Sequence, residues 1–284
     1  MPETAAASMP MARNDREFIF SDADYRFLSE LVNQRAGITF GPQKKEMVYA
    51  RLSRRLRALD LPDFAAYREF LTREEGRTEI ENLVNAVTTN ITSFFREAHH
   101  FDHIAQTVLP EIQAAGQRRL RFWSAGCSMG MEAYSLALTL LHELKNLADY
   151  DVRILATDID TNVLAIGREG IFPQEQWEKI PDIFRRAVQH DETTGTIEMA
   201  EELRRMVAFK SLNLLEPWPV RGPFDAIFCR NVVIYFDKAT QRTLFARFAE
   251  LLKPGGWLYI GHSENLFNVS DAFEPVGRTI YRKR

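Results

Sequence analysis

Apolar residues recur at helical spacing through the first third of the chain, then give way to short apolar runs. In "SDADYRFLSELVNQRAG", Tyr25, Leu28, Leu31 and Val32 share one helical face, with Ser21 placed to cap its start and Gly37 to end it. "PQKKEMVYARLSRRLRALD" predicts a second helix, with Pro42 in its first turn and a stripe of Val48, Leu52, Leu56 and Leu59. "LPDFAAYREFLTREEG" and "TEIENLVNAVTT" predict two more. Residues 20–87 therefore read as a small all-helical domain with short connections.

Beyond residue 115 the pattern alternates. "LRFWSAG" is a short strand running into a glycine turn, followed by the helix "EAYSLALTLLHEL". "DVRILATDID" is a second strand ending in acids, followed by the helix "TNVLAIGREG". "VAFKSLNLL" and "FDAIFCRNVVIYF" predict further strands. "KATQRTLFARFAELLKPGG" predicts a helix, "WLYIGHSE" a strand and "FEPVGRTIYRKR" a closing hairpin. Strands alternating with helices predict an α/β domain with a parallel, doubly wound sheet. Residues 171–206 break the alternation with short β-like runs around Gly195, the mark of an inserted small β-subdomain.

Composition changes little in this picture. The chain has 284 residues, 45% hydrophobic and 26% charged, in the range of a soluble globular protein. A net charge of −3 gives no global field for nucleic acid. Two distant cysteines, Cys127 and Cys229, make neither a disulfide framework nor a zinc set. "MPETAAASMPMARND" lacks the basic and apolar regions of a signal peptide, and residues 1–19 read as a disordered tail. The two thiols are expected to be reduced, as in a cytoplasmic protein, and no apolar run is long enough to span a bilayer, so no membrane insertion is expected.

The candidate chemistry lies at strand ends, where open α/β sheets bind their ligands. Gly126 and Gly130 in "WSAGCSMGMEAYS" allow close backbone approach, but their spacing is neither the dinucleotide fingerprint nor a phosphate loop. Asp158, roughly 30 residues on, can accept hydrogen bonds from both hydroxyls of a ribose; Asp160, before Thr161, suits a helix cap better. Asn213 and the pair Arg230–Asn231 end two further strands. A glycine turn without a pyrophosphate fingerprint, joined to a ribose acid, points to a nucleoside ligand without phosphates, of which S-adenosylmethionine is the commonest.

These residues sit in longer motifs. "TTNITSFFREAHHF", "WSAGCSMGMEAYS", "SLNLL", "GPFDAIFCRNVVIYFDK" and "LLKPGGWLYIGHSENL" resemble the chemotaxis receptor methyltransferases of the CheR type, from about residue 20 to the C-terminus. The resemblance implies a class I, Rossmann-like methyltransferase domain over 102–284, joined by a linker over 88–101 to the helical domain. It implies transfer of a methyl group from S-adenosyl-L-methionine to glutamate side chains in the cytoplasmic domains of methyl-accepting chemotaxis receptors, leaving S-adenosyl-L-homocysteine. Asn90, Thr92 and Arg96 would lie near the cofactor, Glu132 at its amino group, Asp158 at its ribose, Asn213 and Leu214 at the adenine. Gly126 would form the turn beneath it, Arg230 and Asn231 the rim, and Tyr235 would sit near the methyl. The turn departs from the family's usual "STGEEPYS" at Met129, Met131 and Ala133, which leaves the ligand contacts there open.

The chemistry implied needs little machinery. A sulfonium methyl is already activated, and a glutamate with a reference pKa of about 4.3 is already an anion near pH 7. Arg96 and Tyr235 are accordingly expected to position rather than to move protons, Arg96 through a two-pronged carboxylate contact. His99 and His100 are adjacent and point about 100° apart on a helix, so no shared metal is expected. The helix over 42–60 carries six basic residues (Lys44, Lys45, Arg51, Arg54, Arg55, Arg57) against Glu46 and Asp60, a local +4. Arg51, Arg54 and Arg55 share one side and are the candidate substrate readers for a glutamate-rich receptor helix; a merely solvated face is the alternative. Two rival functions remain at this level: a methyltransferase acting on nucleic acid, for which "CRNVVIYF" lacks the expected Asp/Asn-Pro-Pro-Tyr/Phe, and a catalytically silent S-adenosylmethionine-binding signalling module.

Overall fold

The computed structural model describes residues 16–284. Four helices open it: α1 (Asp22–Ala36), α2 (Lys45–Ala58), α3 (Phe64–Thr72) and α4 (Arg77–Val87). Ser21 caps α1 in a capping box with Asp24, and Gly37, at φ +70°, ends it in the left-handed conformation. The stripes read from the sequence meet in one core: Leu28, Val32, Leu52, Leu56, Phe64, Tyr67 and Leu83 are all almost wholly buried. Each large side chain so buried contributes roughly 1.5–3 kcal/mol. Most of the expected tail lies outside the described residues, but its last part packs: Phe18 is buried edge-on against Phe64, with ring centroids 6.5 Å apart, and Glu17 pairs with Arg57. An aromatic ring next to an apolar core has reason to order the chain that carries it.

The connection between the domains runs into α5 (His99–His103) and α6 (Leu109–Ala114), joined by a π turn, Ile104–Val108. The sheet domain follows with β1 (Arg119–Ala125), α7 (Met131–Glu143), β2 (Asp151–Asp158) and α8 (Thr161–Glu169). Next come β3 (Ile171–Pro173), β4 (Val188–Asp191), β5 (Thr196–Met199), α9 (Glu201–Met206) and β6 (Val207–Ser211). β7 (Phe224–Cys229), α10 (Lys238–Leu251), β8 (Leu252–Ile260), β9 (Phe273–Gly277) and β10 (Ile280–Lys283) complete the chain. The main sheet runs β6-β2-β1-β7-β8-β10-β9, parallel through β8 and antiparallel in the closing hairpin. β3, β5 and β4 form a separate antiparallel sheet within the inserted stretch. Side chains alternate across β1: Phe122 belongs to the core on one face, with Tyr134 and Leu136, and Trp123 to the core on the other, edge-on to Phe248.

Two boundaries differ from the sequence pattern. β7 stops at Cys229, because Asn231 turns left-handed (φ +59°) and the apolar run continues as a 3₁₀ turn, Val233–Tyr235. α10 stops at Leu251, and Lys253-Pro254 already belongs to β8; a residue before proline is disfavoured in the helical region. The strand order reverses between β1 and β7, which opens a crevice at their carboxyl ends.

Candidate functional site

The crevice is built from the ends of β1, β2, β6 and β7 and is closed from above by the helical domain. Ile38, Phe40, Lys44 and Met47 line that upper wall. At the end of β1 the N–H groups of Gly126 and Cys127 both donate to the Thr157 carbonyl, at 2.8 and 2.9 Å. Gly126 has φ +81°, and a Cβ there would lie 2.3 Å from Val232 Cγ2, so the turn needs glycine on both counts. Met131 and Ala133 are buried against the core and Met129 packs beside them, and none of the three lines the pocket. The departures from the family's turn therefore alter packing beneath the site.

Asp158 ends β2 facing this turn. Its Oδ2 accepts from Ser128 N (2.8 Å) and its Oδ1 from Asp160 N (3.0 Å), leaving each oxygen a lone pair toward the cavity. Burial pushes its carboxyl up, against those two hydrogen bonds. Capping of α8 falls to Asp160, whose Oδ1 accepts from Asn162 N at 2.9 Å. Asp160 Oδ2 also receives Asn90 Nδ2 (2.7 Å) and Thr88 Oγ1 (3.0 Å), so the linker is tied to β2. Asn90 thus lines the pocket with its amide already engaged. Asn213 is similarly placed: its Nδ2 donates to the Arg35 carbonyl at 2.7 Å, joining the end of α1 to β6.

Glu132, in the first turn of α7, accepts from Ser124 Oγ (2.6 Å) and from Arg230 Nη1 (3.1 Å). Burial raises its carboxyl and Arg230 opposes the rise. Arg230 is not the rim residue expected from the sequence: it is only 7% exposed, and its Nη2 donates to the Arg96 carbonyl. Arg96 itself folds back so that Nη1 donates to the Ile91 carbonyl at 2.9 Å. Tyr235 reaches the pocket from the 3₁₀ turn and packs against the helical core. All eleven candidate pocket residues, Asn90, Thr92, Arg96, Gly126, Glu132, Asp158, Asn213, Leu214, Arg230, Asn231 and Tyr235, line this one cavity. No histidine lines it among the described residues.

Sequence reasoning passed over Glu264. Its two oxygens accept four backbone N–H groups, from Asn231 (3.0 Å), Val232 (2.9 Å), Ile234 (3.3 Å) and Gly261 (2.5 Å), and so shape the turn that carries Asn231 and Tyr235. Burial raises its carboxyl, and these donors oppose the rise. The only signal was an acid shortly after a strand, in "GHSENL".

The basic face of α2 is largely committed. Arg55 makes a two-pronged contact with buried Glu79 (2.8 and 2.6 Å), and Arg51 Nη1 donates to the carbonyls of Val87 and Thr88 (2.9 and 2.6 Å) at the end of α4. Lys45 pairs with Asp22 and Arg57 with Glu17. Three of the six positive charges are thereby paired with acids distant in sequence that fold onto this face. Arg54 and Lys44 are exposed and without an ion pair among the described residues, and Lys44 lines the pocket mouth.

His99 and His100 lie closer than their helical phase suggests, with ring centroids 4.2 Å apart, and together with Glu97 they offer ligand atoms within 4.8 Å of one another. The surroundings disfavour a cation there. Arg230 Nη2 stands 3.7 Å from Glu97 Oε2, His99 Nε2 lies 3.0 Å from the Arg278 carbonyl, and His100 Nε2 lies 2.9 Å from Thr279 Oγ1. Burial first, then Arg230, push the His100 ring down to about 2, so it stays neutral.

Comparison with known proteins matches residues 23–88 to the all-alpha domain, and residues 90–282 to the SAM binding domain, of the CheR methyltransferases. The chain is 43% identical over 271 residues to chemotaxis protein methyltransferase 2 of Pseudomonas aeruginosa, covering 94% of this chain and 95% of that one. It is 44% identical to the chemotaxis protein methyltransferase of Salmonella typhimurium over 92% of this chain and 90% of that one. With the Escherichia coli protein of the same name it shares 43% identity over 92% and 91%.

Proposed function

Because the chain belongs to the CheR methyltransferase family, and is accordingly an S-adenosylmethionine-dependent protein-glutamate O-methyltransferase of methyl-accepting chemotaxis receptors, we propose that the crevice between its two domains is where the methyl group is transferred. One observation carries this reading: eleven residues selected from five separate stretches of sequence line a single cavity.

The donor chemistry fits the cofactor. Asp158 has a free lone pair on each oxygen for the two ribose hydroxyls. Glu132 offers negative charge to an ammonium group, and Leu214, Ile38 and Phe40 supply apolar wall for a purine. When bound, S-adenosylmethionine supplies a methyl group activated by its sulfonium. The chain's own residues then need only to orient and to exclude water. The helical domain roofs the cavity, and Tyr235 and Arg96 flank the approach to it. Holding an incoming glutamate carboxylate in line is worth roughly 7–11 kcal/mol at best, and no proton has to move.

Arg96 is assigned to a carboxylate, of cofactor or substrate, through its planar fork. Arg96→Lys should then lower the methylation rate by roughly tenfold, the loss of about one charged hydrogen bond, with an unchanged thermal melt. His99→Ala with His100→Ala should do far less to the rate at saturating cofactor. A fully active Arg96→Lys enzyme would remove the assignment.

The receptor is read on the helical domain beside this cavity, where Lys44, at the cavity's edge, and the exposed Arg54 of α2 leave positive charge free for a glutamate-rich helix. The exposed Arg54 is the cleaner probe, since reversing Arg55 would also break its pair with Glu79. Arg54→Glu should slow receptor methylation several-fold at low salt and leave cofactor affinity intact. The deficit should close as salt shortens the screening length below about 8 Å; equal rates at low salt would make this face solvated surface. The cytoplasmic domains of the receptors are the partners in this reading, which assigns the enzyme to the cytoplasm. No described helix is long and apolar enough to cross a membrane.

A further inference from the structure

Glu97 lies one residue beyond Arg96, does not line the pocket, and has no part in the chemistry above. Its backbone is left-handed (φ +56°), and so is that of Phe95 (φ +50°). Residues with a Cβ avoid that region unless their surroundings hold them there, so Arg96 is presented between two restrained positions. Phe95 is held by Ser135 Oγ, which accepts its N–H at 2.9 Å, and by stacking on Phe184, with centroids 4.8 Å apart. Glu97 is held through its carboxylate. Oε1 accepts from His262 N (3.1 Å) and stands 2.9 Å from His262 Nδ1, while Oε2 has no hydrogen bond and stands 3.7 Å from Arg230 Nη2.

The Arg230 guanidinium therefore lies between two carboxylates, Glu132 on Nη1 and Glu97 beyond Nη2. One positive charge is shared by two negative ones in a water-poor site, where such interactions are strong. Burial works against an ionised Glu97, but the His262 contacts and Arg230 outweigh it and hold its carboxyl low. A charged Glu97 thus shares Arg230 with Glu132. Arg230 stays bonded to Glu132 through Nη1 and to the Arg96 carbonyl through Nη2, so Glu97 adds a second negative charge beside a fixed guanidinium, and the three groups keep one net negative charge that the Glu132–Arg230 pair alone lacks.

We propose that Glu97 is a positioning residue: its charge shares Arg230 with Glu132 and its carboxylate fixes the turn bearing Arg96, so that the group of three keeps a net negative charge beside the pocket for the ligand's ammonium group. The inference rests on the assignment of Glu132 to that ammonium, and its test includes a control for that assignment. Glu97→Gln keeps the size and one acceptor oxygen, which can still face His262, but removes the charge. Glu97→Gly removes the carboxylate yet relieves the left-handed backbone, which separates strain from charge. Binding of S-adenosylhomocysteine and of methylthioadenosine, which lacks the amino-acid end, would be measured by calorimetry on each full-length variant. Both Glu97 variants should bind S-adenosylhomocysteine about tenfold more weakly and methylthioadenosine as the parent does. Glu132→Gln should show the same selective loss. If Glu132→Gln is selective and the Glu97 variants bind both ligands as the parent does, or lose both equally, Glu97 is not a positioning residue for Glu132. If Glu132→Gln loses neither ligand selectively, the ammonium assignment falls, and this inference with it.

Discussion

Replacing Asp158 with alanine lowers affinity for S-adenosylmethionine by roughly ten- to a hundredfold. The carboxylate closes the glycine turn through Ser128 N and has one lone pair on each oxygen left for a ligand. A hydrogen bond to a charged acceptor is worth about 1.5–3 kcal/mol, and about 1.36 kcal/mol is one decade of binding. Isothermal calorimetry on the variant, with its melt in the absence of ligand as a control, measures the loss. Affinity within about twofold of the parent, with an unchanged melt, would restrict Asp158 to holding the turn.

The second large effect falls on stability. Glu79 is a buried carboxylate that takes both prongs of Arg55, the Tyr67 hydroxyl (3.0 Å) and Asn82 Nδ2 (3.0 Å). Through it α2, α3 and α4 share one anchor. Glu79→Ala leaves a guanidinium and a buried phenol without their partner, and removing one side of a buried pair costs about 3–5 kcal/mol. Because Arg55 remains 28% exposed, the lower end, about 3 kcal/mol, is expected. Hydrogen exchange on the whole protein should show α2 and α4 losing protection while β1 and β2 keep theirs. Undiminished protection in α2 would mean that the apolar core alone holds the helical domain.

The contrast between these two acids shows where a sequence is readable. Asp158 announces itself, because a strand end is visible as an apolar run meeting an acid, and strand ends of a parallel sheet converge. Ser21, Gly37 and the stripe of Leu52 and Leu56 are legible for a similar reason: caps and periodicity are local. Glu79 looks like any acid on an amphipathic helix, since its partners Arg55 and Tyr67 are brought to it only by the packing of α2 and α3. The same limit hid the commitments of Arg51 and Arg55, whose charge pattern suggested a free face. It also hid Glu264 and Glu97, which act on backbone or on arginine far along the chain. The apolar run "NVVIYF" has the pattern of a strand but forms a 3₁₀ turn, because hydrophobicity does not distinguish a strand from a buried 3₁₀ turn. The left-handed Asn231 and the Glu264 carboxylate decide between them. Fusion of the pocket with the helical domain, through Asn213 to Arg35 and Asn90 to Asp160, likewise follows from tertiary contacts.

The most direct test of the central assignment follows a labelled methyl group. The protein would be incubated with S-adenosylmethionine carrying a radiolabelled methyl and with the cytoplasmic fragment of a chemotaxis receptor, then treated with mild alkali. A glutamyl methyl ester hydrolyses to methanol under these conditions, whereas methylated nitrogen does not. Labelled methanol from the receptor fragment is the predicted result, sharply reduced in Asp158→Ala at the same cofactor concentration. Cofactor binding without label on the fragment, or label that survives alkali, would contradict glutamate ester formation in this crevice.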